Sequence, residues 1–251
     1  GSAVDVDAIL AAQRTHRAPL VGVVHAETST GVRTDLAALG RELRARDALL
    51  VVDAVTSLGA IDLRVDEWMI DACSSCSQKG LGAPSGLAPL TVGPRALAKI
   101  KARKTVPATF YLDLGLLQSY VGSEHKYHHT ASSPLWNALR TALHLVFEEG
   151  LDARFARHTR IHALARQGLE ARGFTYVPAP EIRLPHLQCV RPPAGVDEKA
   201  LRAKLLQRHS IEIGGGLGPL AGQVVRIGLM GASATETNVT LLLAALDECI
   251  R

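Results

Sequence analysis

Apolar positions along this 251-residue chain follow two rhythms. In the first half, short unbroken runs stand out: Leu20 to His25, Leu49 to Asp53, and Ala72 to Ser77. None shows the apolar–polar alternation of a half-exposed strand, so each predicts a buried parallel strand in a sheet covered on both faces. A helical rhythm over 35–46 separates the first two, and strand, helix, strand reads as a βαβ crossover. A further strand is expected over about 86–92, after a glycine-rich stretch. Pro94 is placed to open a helix running to about Lys104, with Pro107 ending that stretch. The segment 109–130, rich in Tyr, Gly and His, carries no readable period.

Longer helical rhythms fill the second half. Ser133-Pro134 supplies an N-cap and first-turn pair for a helix to Glu149, which Gly150 stops. A second amphipathic helix is expected from Leu151 to Arg172, stopped by Gly173. Beyond it, Pro178, Pro180, Pro185, Pro192 and Pro193 punctuate short strands. Helices over 197–209 and 235–250 flank the run Ile211 to Gly231. The change of rhythm sets a boundary near Gly150: an α/β unit with a mostly parallel sheet over 1–149, then a small α+β domain over 150–251.

Composition narrows the function classes. At 47% hydrophobic residues the chain can bury a sizeable core, and at 4% aromatic it offers little for base stacking. The net charge of +4 is scattered. The basic run Lys99 to Lys104 has no interleaved aromatics, so it reads as a solvated helix face, and no nucleic-acid partner is expected. No apolar run reaches the roughly 18 residues of a membrane span, and no signal peptide is recognisable, so a cytoplasmic location without membrane association is expected. Cys73-Ser-Ser-Cys76 has redox spacing, but it falls in an expected buried strand, and no second pair completes a zinc site. His25, His128 and His129 are poorly spaced for a metal, and none is expected.

Two residues carry candidate chemistry. Asp53 ends an expected core strand, where open α/β sheets place their ligands; a turn or helix-capping acid is the equally good plain reading. Lys79 follows Ser77-Gln78 at the end of another such run, with Gly80, Gly82 and Gly86 directly after it. A lysine held beside backbone that can approach a ligand closely is a candidate Schiff-base nucleophile. The glycines do not spell a phosphate-binding P-loop.

These segments, taken together, resemble the class V pyridoxal-phosphate aminotransferases. The strings are Glu27-Thr-Ser-Thr-Gly31, Val52-Asp-Ala-Val-Thr-Ser-Leu-Gly59 and Ser77-Gln-Lys-Gly-Leu81, with Asp53 and Lys79 separated by 79 − 53 = 26 residues. Tyr127-His-His-Thr130 and Arg226-Ile-Gly-Leu-Met-Gly231 are similar to the alanine–glyoxylate/serine–pyruvate branch. The resemblance runs nearly the whole chain. It implies the PLP-transferase fold type I and the cofactor pyridoxal 5'-phosphate. It makes Lys79 the Schiff-base and proton-transfer lysine, and Asp53 the partner of the pyridine nitrogen. Thr28 and Gln78 become cofactor contacts, and Arg226 the binder of the substrate carboxylate. Tyr127 and Thr130 would reach the neighbouring subunit's cofactor phosphate, which implies a homodimer with shared sites. The implied reaction is amino transfer between a small amino acid, alanine or serine, and a 2-oxo acid, glyoxylate or pyruvate. A phosphonate aminotransferase, a cysteine desulfurase and a non-catalytic dimerisation scaffold of the same fold are the alternatives. The match begins part-way through the family's large domain. The family's glycine-rich phosphate cradle and ring-stacking aromatic have no counterpart before Lys79.

Overall fold

A computed structural model describes residues 1–250. The first half contains α1 (Val6–His16), β1 (Leu20–Val24), β2 (Ala26–Glu27), β3 (Val32–Arg33), α2 (Ala37–Ala45), β4 (Leu49–Asp53), β5 (Ala72–Ser74), β6 (Leu90–Val92), α3 (Pro94–Lys101) and α4 (Leu114–Val121). After α5 (Ser133–Glu149) and α6 (Leu151–Glu170) come β7 (Thr175–Tyr176), β8 (Leu187–Arg191), α7 (Glu198–His209), β9 (Gly214–Gly215), β10 (Val225–Gly228) and α8 (Glu236–Cys249).

The first sheet has the order β1-β4-β5-β6. β4 pairs in parallel with both β1 and β5, while β6 returns antiparallel to β5. Its core joins Leu36, Leu39 and Leu43 of α2 and its approach to Leu50 and Val52 of β4. The expected cover on both faces is not what the chain itself supplies: Leu20 is 50% and Leu90 48% exposed. Two of the runs are also shorter as strands than their apolar extent suggests. β1 stops at Val24, and β5 stops at Ser74, because the chain then turns into the loops that carry Thr28 and Lys79.

The second sheet is antiparallel, in the order β7-β8-β10-β9. β8 is buried over its first four residues, Leu187 to Val190. One core joins Ile161, Ala165 and Leu169 of α6, Leu201 and Leu205 of α7, and Val239, Leu242 and Leu246 of α8. Asp197 and Thr235 cap α7 and α8 by accepting from the amides of Ala200 and Asn238.

Other boundaries moved for local reasons. The N-cap of α5 is Ser132, not Ser133, and its side chain makes no capping bond; Pro134 sits in the first turn. α3 ends at Lys101 and α6 at Glu170, each short of its expected end. Residues 114–121, in the unreadable segment, form α4, capped by Asp113. Gly150, with φ 79° and ψ 143°, both ends α5 and begins α6. Two long helices are thereby joined at a corner one residue wide. No described helix is long and apolar enough to cross a membrane.

Candidate active site

Parallel strands deliver their C-terminal ends to one edge, and the loops leaving that edge carry the chemistry. Asp53 closes β4, where it lies between Val24 of β1 and Ser74 of β5. One carboxylate oxygen accepts from the Val55 amide at 2.8 Å, and the Asp53 carbonyl accepts from the His25 amide at 3.0 Å. Asp53 thus holds its own turn while the side chain stays exposed. The negative charge is felt by Cys73, whose thiol is pushed up to about 11 by burial first and by Asp53 second. Both cysteines of the Cys73–Cys76 pair are buried and unbridged.

Lys79 sits in a tight turn beyond β5. The Gly82 amide donates to the Lys79 carbonyl (3.0 Å) and the Ala83 amide to the Ser77 carbonyl (3.0 Å). Ser77 Oγ donates to the Pro84 carbonyl at 2.6 Å, closing the loop from inside. The turn therefore fixes the backbone and directs the Lys79 stem by it.

A cleft of about 530 Å³ receives this turn. Thr28, Gln78 and Lys79 line it from the first half, and Leu187, Gly214, Arg226, Met230 and Ser233 from the second. Arg226 Nε donates to the Gly215 carbonyl (2.7 Å) and Nη1 to the Thr28 carbonyl (3.2 Å). A guanidinium is a planar fork of five N–H donors, and these two bonds orient its plane at the cleft wall. Thr28 Oγ1 lies 2.5 Å from Thr56 Oγ1, so a buried hydroxyl, which no local sequence signal singles out, sets the rotamer of the half-buried one.

Four of the seven residues singled out from sequence, Thr28, Gln78, Lys79 and Arg226, thus face one cleft although up to 198 positions apart. Asp53 lies at the same sheet edge but is not part of the cleft's lining. Tyr127 and Thr130 are elsewhere: their hydroxyls bond each other at 2.8 Å, and Tyr127 is 77% exposed. His128 and His129 contact each other and the rings of Tyr111 and Tyr120, well away in sequence and contact from His25, which packs on Trp68. Among the described residues there is no group of three or more His, Cys, Asp or Glu arranged to hold a metal ion.

The cleft's lining is rich in donors: an amine, an amide, two hydroxyls and a guanidinium, with no carboxylate among the lining residues. Such a lining attracts a small anionic ligand and offers it directional bonds.

Comparison with known proteins gives this arrangement a context. The family model described as aminotransferase class-V matches residues 2–242. The chain is 38% identical to the (S)-ureidoglycine–glyoxylate transaminase of Bacillus subtilis, covering 98% of this chain and 64% of that protein. It is equally 38% identical to the alanine–glyoxylate aminotransferase of Drosophila melanogaster, covering 100% and 65%. Among solved structures, the alanine–glyoxylate aminotransferase of a Nostoc species superposes with a TM-score of 0.98 at 44% identity, over 100% of this chain and 67% of that one. The chain therefore spans a little under two thirds of the length of these curated relatives.

Proposed function

The chain belongs to the class-V aminotransferases, and from that membership we propose that its cleft performs amino-group transfer with pyridoxal 5'-phosphate as cofactor. The observation that carries the reading is the meeting of Lys79 and Arg226 in the lining of one cleft. The lining fits the cofactor: a primary amine for its aldehyde, and a hydroxyl and an amide for its polar edge. When bound, the cofactor supplies an aldehyde and an electron-withdrawing ring, which the twenty side chains lack.

The residues then divide the work. Lys79 Nζ would hold the cofactor and move a proton at the substrate α-carbon. From the sheet edge, the Asp53 carboxylate would hold a proton on the ring nitrogen. Thr28 and Gln78 orient the group. Arg226 binds the substrate carboxylate by its fork, which turns the α-carbon toward Lys79. Because Lys79 lies in 1–149 and Arg226 in 150–251, the two stretches act as a large cofactor domain and a small substrate domain divided at Gly150.

The substrates in this reading are a small amino acid, alanine or serine, and a 2-oxo acid. The names of the two relatives differ in the amino donor and agree on glyoxylate, which favours glyoxylate as acceptor. The desulfurase alternative requires an accessible thiol, and all four cysteines are buried. Cys189 lies within β8, with its thiol pushed up by burial, the reverse of an activated nucleophile. A homodimer completes the reading. Val106, Phe110, Tyr127 and Phe147 are each more than 60% exposed, and a second copy would cover them while bringing Tyr127 and Thr130 to its own cofactor.

The test is direct. Protein supplied with cofactor, alanine and glyoxylate yields glycine and pyruvate. Arg226→Lys keeps the charge but loses the fork, and kcat/KM for alanine falls roughly ten- to a hundred-fold, equivalent to about 1.5–3 kcal/mol. An amine without a carboxylate is spared. Equal losses on both substrates, or none, would remove Arg226 from this role.

A further inference from the structure

α6 begins with an anomaly. Its buried face runs Arg154, His158, Ile161, Ala165, Leu169, spaced by four, three, four and four residues. That is one continuous helical stripe. Its last three members enter the second core, but the first two are polar and are as buried as the rest. Buried cations persist where they are paired and hydrogen-bonded.

Most partners of this polar end lie directly behind residues that line the cleft, in the Lys79 turn and in 231–234. Arg154 Nε donates to the Gly59 carbonyl at 2.8 Å, and Nη2 to the Gly80 carbonyl, next to Lys79, at 2.7 Å. One turn on, Arg157 Nη1 donates to the carbonyls of Gly231 (3.0 Å) and Ala234 (2.8 Å). Those residues bracket Ala232 and Ser233 of the cleft lining. His158 Nδ1 donates to the Arg154 carbonyl at 2.8 Å, which leaves Nε2 to accept from the Gly231 amide at 3.2 Å. Glu149 joins the arginines: it accepts from Arg154 Nη1 (2.7 Å) and from Arg157 Nε (2.5 Å) and Nη2 (2.9 Å). The hydrogen bonds from Arg157, then those from Arg154, hold the Glu149 carboxyl down at about 2.

These two segments also touch each other. A Cβ on Gly231 would stand 3.1 Å from the Gly82 Cα and 3.3 Å from the Gly80 carbonyl. Gly231 has φ 57°, so glycine both permits the approach and fits the backbone. The Lys79 turn and the 231–234 turn are therefore pressed together at one point and tied from behind by one helix.

We propose that Glu149, Arg154, Arg157 and His158 form a clamp that fixes the Lys79 turn relative to the 231–234 turn, and so sets the distance a substrate must span between Lys79 and Arg226. These are positioning residues that act through backbone. The inference rests on the amino-transfer reading for its consequence in catalysis and on geometry alone for its consequence in structure. A substrate that engages both Lys79 and Arg226 needs the gap to be correct; one that engages Lys79 alone does not.

The experiment compares Arg157→Met, and the shape-preserving Glu149→Gln, with the parent full-length protein. Two quantities are read. The first is kcat/KM for alanine against that for a primary amine lacking a carboxylate. Arg157→Met lowers the first roughly tenfold or more and leaves the second within about twofold, with Glu149→Gln smaller in the same direction. The second is hydrogen exchange at the amides of Gly82, Ser233 and Ala234, which quicken together in both variants while those of β4 do not. A merely structural role would lower both substrates equally, and that result overturns the clamp. Unchanged exchange at the two turns overturns it as well, even in a protein that transfers no amino groups. Loss of transfer in the parent protein counts against the functional reading alone. Should Arg157→Met fail to fold, Glu149→Gln decides by the same two readings.

Discussion

The two halves of this molecule close themselves to different degrees. The second wraps three helices and a small sheet around one core, in which Phe174 is 2% exposed and Leu205 and Leu246 are fully buried. The first spreads a sheet whose outer strands leave Leu20 and Leu90 half uncovered, followed by a segment bearing Phe110, Tyr111 and Leu112 at the surface. Yet the first half holds Lys79 and Asp53, and the second contributes chiefly Arg226. Stability and reactivity are thus unevenly shared. The finished half stabilises the fold, and the half that exposes apolar surface holds Lys79 and Asp53, the proposed reactive groups, in and beyond the ends of its strands. That pattern suits a site built between bodies, since edges and open faces are where other surfaces can add to it.

Substitutions can break this division. The largest effect is expected at Asp53→Asn, which keeps the side chain's shape and its oxygen for the Val55 amide but removes the charge. Turnover falls by several orders of magnitude, on the order of 4 kcal/mol or more in activation terms, while the urea midpoint hardly moves. Near-normal turnover would make Asp53 a turn acid only.

Next in size is a matched pair of phenylalanines. Phe174→Ala opens a cavity in the closed half and costs about 3–5 kcal/mol in urea unfolding. Phe147, 76% exposed on α5, should be replaceable by Ser within about 0.5 kcal/mol, at protein concentrations low enough to keep subunits apart. Similar costs at the two positions would erase the contrast.

The smallest effect sharpens where the halves meet. His25, His158 and His186 are buried there, and burial lowers them from the usual 6.5 to about 4, 4 and 3. The unfolded chain takes up these protons at higher pH than the folded one. Stability is therefore fully present above 6.5 and is lost as pH falls from there toward about 4 for His25 and His158 and about 3 for His186, by roughly 1–3 kcal/mol for each histidine. Denaturant unfolding followed from pH 7.5 to 4 measures it. A flat profile over that range would mean that these rings find protonation as easy folded as unfolded.

What could be read in advance followed from range. β4 matches its apolar run from Leu49 to Asp53, and α7 and α8 begin directly after Asp197 and Thr235, because run and cap are local signals. α4 escaped because it has no buried residue, so no stripe marks it. α1 went unread although Asp5 caps it, since its buried positions are only Leu10 and Gln13. For the proposed site, the glycines and the family motif single out Lys79, and the motif singles out Arg226; the structure adds that both line one cleft. The bonds from Arg154 to Gly59, 95 residues away, and from Arg157 to Ala234, 77 away, have no local signature. A charged residue heading an otherwise apolar helical stripe was the one clue, and it reads equally well as a solvated helix end.

The corner at Gly150 has a consequence for heredity. Nothing lies within 4 Å of where its Cβ would be, so a tally of neighbours would rank the position as tolerant. Its φ and ψ nevertheless fall in a region that is essentially glycine's own. Every single-nucleotide missense change in a glycine codon adds a Cβ. Each such allele would strain the corner that carries α6 away from α5, and with it the bonds that Glu149, one residue before, makes to Arg154 and Arg157. Variation at this codon should therefore be purged in a lineage that needs the cleft, and should drift freely in one that has lost it.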